Sequence, residues 1–174
     1  MADEPAPDFL SFLPPNILEE IGKIAVAFTF MEDELDGFIA DMLGAGMDVG
    51  QAVTFTVRSI SERIKLTRTL VKLKVKFNDH RDTALALLTD ADAANTKRNT
   101  LIHHAIIRLS FNVDPDAHEI EYLRKDHRFR ERKGTRLKAA ELKALTKELR
   151  RIARGISQVA QCHRVASGNP ARRS

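Results

Sequence analysis

The sequence of 174 residues predicts an all-α fold, an up-and-down bundle of four to five helices with a β-hairpin inserted before the last long helix. Three observations predict this fold. Apolar residues recur at steps of three and four over the long segments, which is the period of one helix face. The period shortens to two between residues 107 and 123, around the turn signal Asp114-Pro115-Asp116. The length is that of a single domain with its own core.

The first helix is predicted to begin at Asn16, a residue suited to N-capping that follows Pro14-Pro15. Its apolar stripe runs from Ile17 to Met42 with an unbroken alternation of four and three, and Gly44 ends it. A helix of about 27 residues is about 40 Å long. This length suits the central helix of a bundle.

The second helix is predicted to begin near Asp48 and to continue to about Phe77, because its apolar stripe is interrupted only by Thr67. Asp79 or Asp82 then begins the third helix. The last long helix follows Lys138 and carries a leucine and isoleucine stripe. We therefore expect four principal helices.

The domain boundaries follow from composition. Residues 1–15 are acidic and rich in proline and predict a disordered N-terminal segment, residues 16–166 a single helical domain, and residues 167–174 a disordered tail. Residues 1–50 hold eleven acidic residues against Lys23, a net charge of −10, so the rest of the chain carries +14. This polarity has two interpretations: helices that neutralise one another within the bundle, or a basic body that attracts nucleic acid.

Several function classes lack support. The six histidines include no pair at i, i+4 spacing with a carboxylate between, so we expect no metal, and without a glycine-rich phosphate loop we expect no cofactor. Cys162 is the one cysteine, which excludes a disulfide within the chain. With neither a signal peptide nor a long apolar run, the chain is expected to be soluble, without membrane contact, and cytoplasmic.

Arg98-Asn99-Thr100-Leu101-Ile102-His103 is the most informative segment. Arg98 stands in the apolar stripe of the third helix, where a guanidinium needs an acid, an anion or a subunit interface. Asn99 and His103 share one edge of the helix, so the amide can orient the ring. Arg98 and His103 lie about 140° apart around an ideal helix and can converge only on something beside it.

Other interpretations of these residues remain open. His103 and His104 are also favoured by the dipole at a helix C-terminus. The basic stretch Arg124–Lys138, with eight basic residues, is either a solvated linker or helps to guide RNA to a nearby site. Glu32 and Glu34 of the first helix are the acids to test for contact with Arg98.

Arg98-Asn99-x-x-x-His103, near the end of the third main helix of an all-α bundle, resembles the Arg-x(4–6)-His motif of the HEPN superfamily. In architecture the resemblance covers about residues 17–165, and in motif only six residues. It implies a metal-independent endoribonuclease whose active site forms where two motifs meet across a homodimer. By position, His103 would act on the ribose 2′-hydroxyl as general base or acid, Arg98 would bind the scissile phosphate, and Asn99 would orient the ring or the phosphate. His104 is an alternative register for the histidine.

The resemblance further implies RNA as substrate and a role in defence. The chain would be a toxin with a cognate antitoxin, or an antiphage nuclease partnered with a nucleotidyltransferase-like protein. Two alternatives belong to other classes. One is a non-catalytic HEPN-like dimerisation or nucleotide- or RNA-binding module, and the other is a monomeric helical adaptor that docks a basic partner on its acidic first helix.

Overall fold

The computed structural model describes residues 13–44, 47–75, 79–103, 105–110, 118–124 and 133–167, and gives the strands almost entirely as backbone. Five helices and one sheet follow along this part of the chain. They are α1 (Pro15–Leu43), α2 (Met47–Thr56), α3 (Ile60–Lys74), α4 (Asp79–His103), β1 (Ala105–Ser110), β2 (Glu119–Arg124), β3 (Lys133–Lys138) and α5 (Ala139–Ala166). The predicted helical bundle is confirmed.

Helix α1 matches its prediction closely. Pro14 rather than Asn16 is the N-cap residue, since Pro15 already starts the helix. Gly44 ends it in the left-handed conformation, with φ of 65°, and its N–H is donated to carbonyls of the last turn. Leu13 is buried, so the packed domain begins slightly before residue 16. The segments predicted to be disordered, apart from Leu13 to Pro15 and Ser167, lie outside the described residues.

The prediction of a single second helix is wrong, because the chain turns back at Val57–Ser59 to give α2 and α3. The Ser59 hydroxyl accepts a hydrogen bond from the Glu62 N–H (3.2 Å) and so caps α3. Gly50 of α2 packs directly on α1. A methyl group at its position would lie 2.3 Å from the Cβ of Ala40.

Specific side-chain contacts define the helix directions. Helices α1 and α5 run parallel, since Glu20 meets Thr146 near their starts (3.3 Å) and Asp41 meets Arg164 near their ends (2.8 Å). Helix α4 runs opposite to α5. The paired residues are Lys97 with Glu148 and Asp90 with Arg151. Around the core the order is α1, α3, α4, α5, and α2 lies outside against α1.

The core lies between these four helices. Its largest fully buried side chains come from all four of them: Phe38, Ile17, Ile24, Met31, Leu35, Ile39, Met42, Ile64, Leu88, Leu142 and Leu149. Leucine, isoleucine and phenylalanine at helical spacing bury the apolar surface that drives the helices together.

The predicted hairpin is present as β1 and β2, with Ala105 opposite Leu123 and Ser110 opposite Glu119. The sheet has a third strand, however, so the order is β1-β2-β3 and both pairs are antiparallel. The interpretation of Arg124–Lys138 as only a solvated linker is therefore wrong over Lys133–Lys138. A strand rich in basic residues lacks the apolar alternation that marks strands in a sequence.

Candidate active site at the C-terminal end of α4

One face of α4 is buried as predicted, and Arg98 interrupts it. Arg98 itself is only partly buried. The fully buried residues of that face are Ala84, Leu87, Leu88, Ala91, Ala94, Asn95 and Leu101. A charged side chain in such a row needs polar or aromatic contacts, because burying a charge without them is costly in free energy.

Arg98 has two contacts of opposite kinds. Its guanidinium carbon lies 4.6 Å from the centre of the Phe28 ring of α1, a cation–π contact. Its Nη1 donates a hydrogen bond to the side-chain oxygen of Asn99 (3.1 Å). Its Nε is buried and has no acceptor among the described residues. The guanidinium is thus held in place while most of its five N–H donors remain available.

Asn99 orients the arginine in this structure. The predicted contact between Asn99 and the ring of His103 concerns a side chain outside the described set. His103 is the last residue of α4. His104, the alternative in register, is also outside the described residues.

The acid that faces Arg98 is Glu32, one helical turn after Phe28 on α1. Burial raises the pKa of Glu32, and the positive charges of Arg63 and Arg98 act in the opposite direction. The pair interacts through space without forming an ion pair among the described residues. The suggestion of Glu34 is wrong, because Glu34 lies beside Arg150 and Arg154 of α5. Two residues along a helix turn a side chain by about 200°.

A second charged pair lies one turn further along α1. Nη1 of Arg63 in α3 is 3.1 Å from a carboxylate oxygen of Asp36, and its Nε donates to the carbonyl of Val57 (3.0 Å). Burial raises the pKa of Asp36, and Arg63 opposes that shift. Neither Asp36 nor Arg63 stands out in the sequence as a site residue. The i, i+4 spacing of Phe28, Glu32 and Asp36 is the available signal that one face of α1 turns polar.

The last turns of α4 extend beyond the start of α3. The side-chain amide of Asn95 donates to the hydroxyl of Ser61 (3.1 Å), which places Asn95 level with the first turn of α3. Residues 96 to 103 continue past that level by about 12 Å. Arg98 and the backbone of His103 therefore lie on a section of α4 that α3 does not cover.

The described residues hold neither a candidate metal site nor a helix that could span a membrane. No group of three or more His, Cys, Asp or Glu side chains among them is placed to hold a metal ion. None of the described helices combines the length and apolar character needed to cross a membrane.

No protein-family model matches this chain, and neither the curated proteins nor the solved structures include a significant match. A functional assignment therefore depends on the chemistry of Arg98 and its neighbours.

Proposed function

We propose that this protein is a metal-independent endoribonuclease of the HEPN type, acting as a homodimer. The observation that carries the proposal is the state of Arg98. Its guanidinium is held by Phe28 and Asn99 in an otherwise apolar helix face, lacks a direct carboxylate partner among the described residues, and precedes His103 by five residues. Such a cation is ready to bind a phosphate and stabilise the charge that grows on it.

The proposed reaction uses the RNA itself as nucleophile. His103 takes the proton of the ribose 2′-hydroxyl, whose oxygen attacks the adjacent phosphorus. The bond from phosphorus to the 5′-oxygen breaks, and that oxygen receives a proton as it leaves. The products are a 2′,3′-cyclic phosphate and a 5′-hydroxyl. Arg98 stabilises the phosphorane-like transition state throughout.

A homodimer supplies both proton-transfer groups. One imidazole has to accept a proton while another donates one, and the partner subunit's His103 is the second group in this proposal. The section of α4 beyond α3 is the surface on which two motifs would meet. In this proposal the biological setting is defence, with an antitoxin or a nucleotidyltransferase-like protein as the regulating partner.

The test is cleavage of single-stranded RNA by purified protein in EDTA. Wild type should cleave and leave 2′,3′-cyclic phosphate ends, whereas Arg98→Ala and His103→Ala should lose at least about a hundredfold in rate, the usual scale for a lost general base or charge stabiliser. Lys65→Ala, which removes an exposed cation of α3, is the control and should cleave normally. Arg98→Lys, with circular dichroism, separates loss of chemistry from loss of folding. Equal cleavage by wild type and all variants would end the proposal.

A second candidate is a non-catalytic module in which Arg98 stabilises the fold or the dimer. The stacking of Arg98 on Phe28 favours it, because a purely structural arginine makes the same contact. Under this alternative no RNA is cut, and Arg98→Ala weakens the dimer in sedimentation experiments. Under the nuclease proposal His103→Ala leaves the dimer intact and removes cleavage.

A further inference from the structure

A row of cations on α5 is not used by the proposed active site. The row consists of Lys147, Arg150, Arg151 and Arg154, and we name it the α5 basic ridge. All four side chains are exposed. Their spacing places them on one side of the helix over about 10 Å.

Most of the charge of the ridge is not neutralised. Arg151 is paired with Asp90 of α4. Lys147, Arg150 and Arg154 have no ion pair within the described part of the chain, and the nearby Glu148 is paired with Lys97. Like charges three and four residues apart on a helix repel one another. A bound polyanion would offset the repulsion between these cations.

The ridge separates two grooves. Between α4 and α5 lies a groove of about 920 Å³, lined by Lys147, Arg150, Arg151 and Arg154 and by His80. The floor of this groove is narrow, because Gly155 allows α4 and α5 to pack close together. A methyl group on Gly155 would lie 2.7 Å from Leu87.

The other groove lies between α1 and α5 and has a volume of about 540 Å³. Arg150 and Arg154 border it as well, and Phe30 of α1 forms part of its wall. Phe30 is 62% exposed, which is unusual for a phenylalanine in the middle of a long helix. Glu34 also lines this groove and is the one acid there among the described residues.

We propose that the α5 basic ridge binds single-stranded nucleic acid, with phosphates on Lys147, Arg150 and Arg154 and a base stacked on Phe30. Cations in a row beside an exposed aromatic ring are the two components that sequence-tolerant strand binding requires. A small anion would use one or two of these cations and would not need the ring. The cations lie on α5 and Phe30 lies on α1, so the two components are far apart in the sequence.

The two ends of this binding surface lie at different distances from the proposed active site: the Lys147 end is level with Lys97, since Glu148 is paired with Lys97, and the Leu87 end is far from it. Leu87, at the floor of one groove, and Arg98 are eleven residues apart on α4, or about 16 Å along its axis. Binding at the ridge does not require cleavage, so the proposal is tested with a strand that lacks the 2′-hydroxyl.

The experiment measures fluorescence anisotropy of a labelled 12-nucleotide oligothymidine with the full chain. Wild type should bind with an affinity that falls steeply with salt. Arg150→Ala/Arg154→Ala should weaken binding by about tenfold or more at low salt, and should reduce the slope of log affinity against log salt by about 1.4. The control Lys65→Ala/Lys72→Ala makes the same charge change at exposed positions of α3 and should leave the slope nearly unchanged.

Phe30→Ala tests the stacking contact and should weaken oligothymidine binding about fivefold or more. It should leave the binding of an abasic strand of equal length unchanged, because that strand offers charge without bases. Phe55→Ala removes an aromatic ring that is 87% exposed elsewhere and is the control.

Two results would overturn the proposal. One is equal binding by wild type and the Arg150→Ala/Arg154→Ala variant. The other is that a second copy of the chain occupies this surface. In that case sedimentation shows a dimer that Phe30→Ala dissociates, and no oligothymidine binds. If the wild-type protein binds oligothymidine but cleaves no RNA, only the nuclease proposal is contradicted.

Discussion

Arg98 of α4 and Phe28 of α1 form a cation–π pair, with the guanidinium carbon 4.6 Å from the ring centre. Phe28 is 3% exposed, so the pair lies at the edge of the core and joins two helices that otherwise touch little. The contact fixes the position of the guanidinium before any ligand arrives. An arginine held in this way loses less conformational entropy when it binds an anion.

The first prediction concerns the strength of this pair. Phe28→Leu keeps most of the apolar volume and removes the ring, and Arg98→Met keeps the chain length and removes the charge. In a double-mutant cycle by urea denaturation, the two changes should show a coupling energy of about 1 kcal/mol. Additive effects of the two substitutions would show that the contact contributes nothing beyond packing.

The second prediction concerns the contact between α1 and α2. Gly50→Ala should lower the free energy of unfolding by about 1–3 kcal/mol, because the new methyl group would lie 2.3 Å from the Cβ of Ala40 and 3.0 Å from its Cα. Gly22→Ala is the matched control on α1. No atom of the described residues lies within 4 Å of its new methyl group, so it should raise stability by about 0.5–1 kcal/mol. Urea denaturation of both variants checks the opposite signs.

The third prediction concerns the cap of α3. Ser59→Ala removes the hydroxyl that accepts from the Glu62 N–H and should cost about 1 kcal/mol. Thr69→Ala changes an exposed hydroxyl on the same helix and should cost nothing, since alanine favours the helix. Similar thermal stability of Ser59→Ala and wild type would show that the cap is not needed for the reversal between α2 and α3.

The fourth prediction concerns pH. Burial raises the pKa of Glu32 above its ordinary value of 4.5, so between 4.5 and the raised value the folded state binds more protons than the unfolded chain. In that window stability falls as pH rises. Glu32→Gln should therefore be more stable than wild type at pH 7, and the difference should shrink toward pH 4. Urea denaturation from pH 4 to 7 measures it, and a difference that grows toward low pH would reverse the argument.

The sequence predicts some of these elements well and others poorly, for physical reasons. Helix α1 was predicted because its apolar alternation is unbroken and a glycine ends it. The break between α2 and α3 is hidden in the sequence, because the apolar stripe continues through Val57 to Ile60. The local signal, Ser59 followed three residues later by Glu62, is the pattern of a helix start.

The residues of the candidate site likewise include some that the sequence predicts and some that it does not. Arg98 was predicted because a cation among alanines and leucines at helical spacing is anomalous in the sequence itself. Its partner Phe28, and the pair of Asp36 with Arg63, depend on which helices become neighbours. That information arises only from the packing of the whole bundle.

In the chain, the sheet lies between α4 and α5, two helices that pack side by side and run in opposite directions. Antiparallel neighbours need only a short connection, about two to eight residues. The β-sheet therefore occupies a place where a few residues would suffice, and because its Leu137 packs on the hydrophobic core, a change at that end of β3 reaches the helices as well.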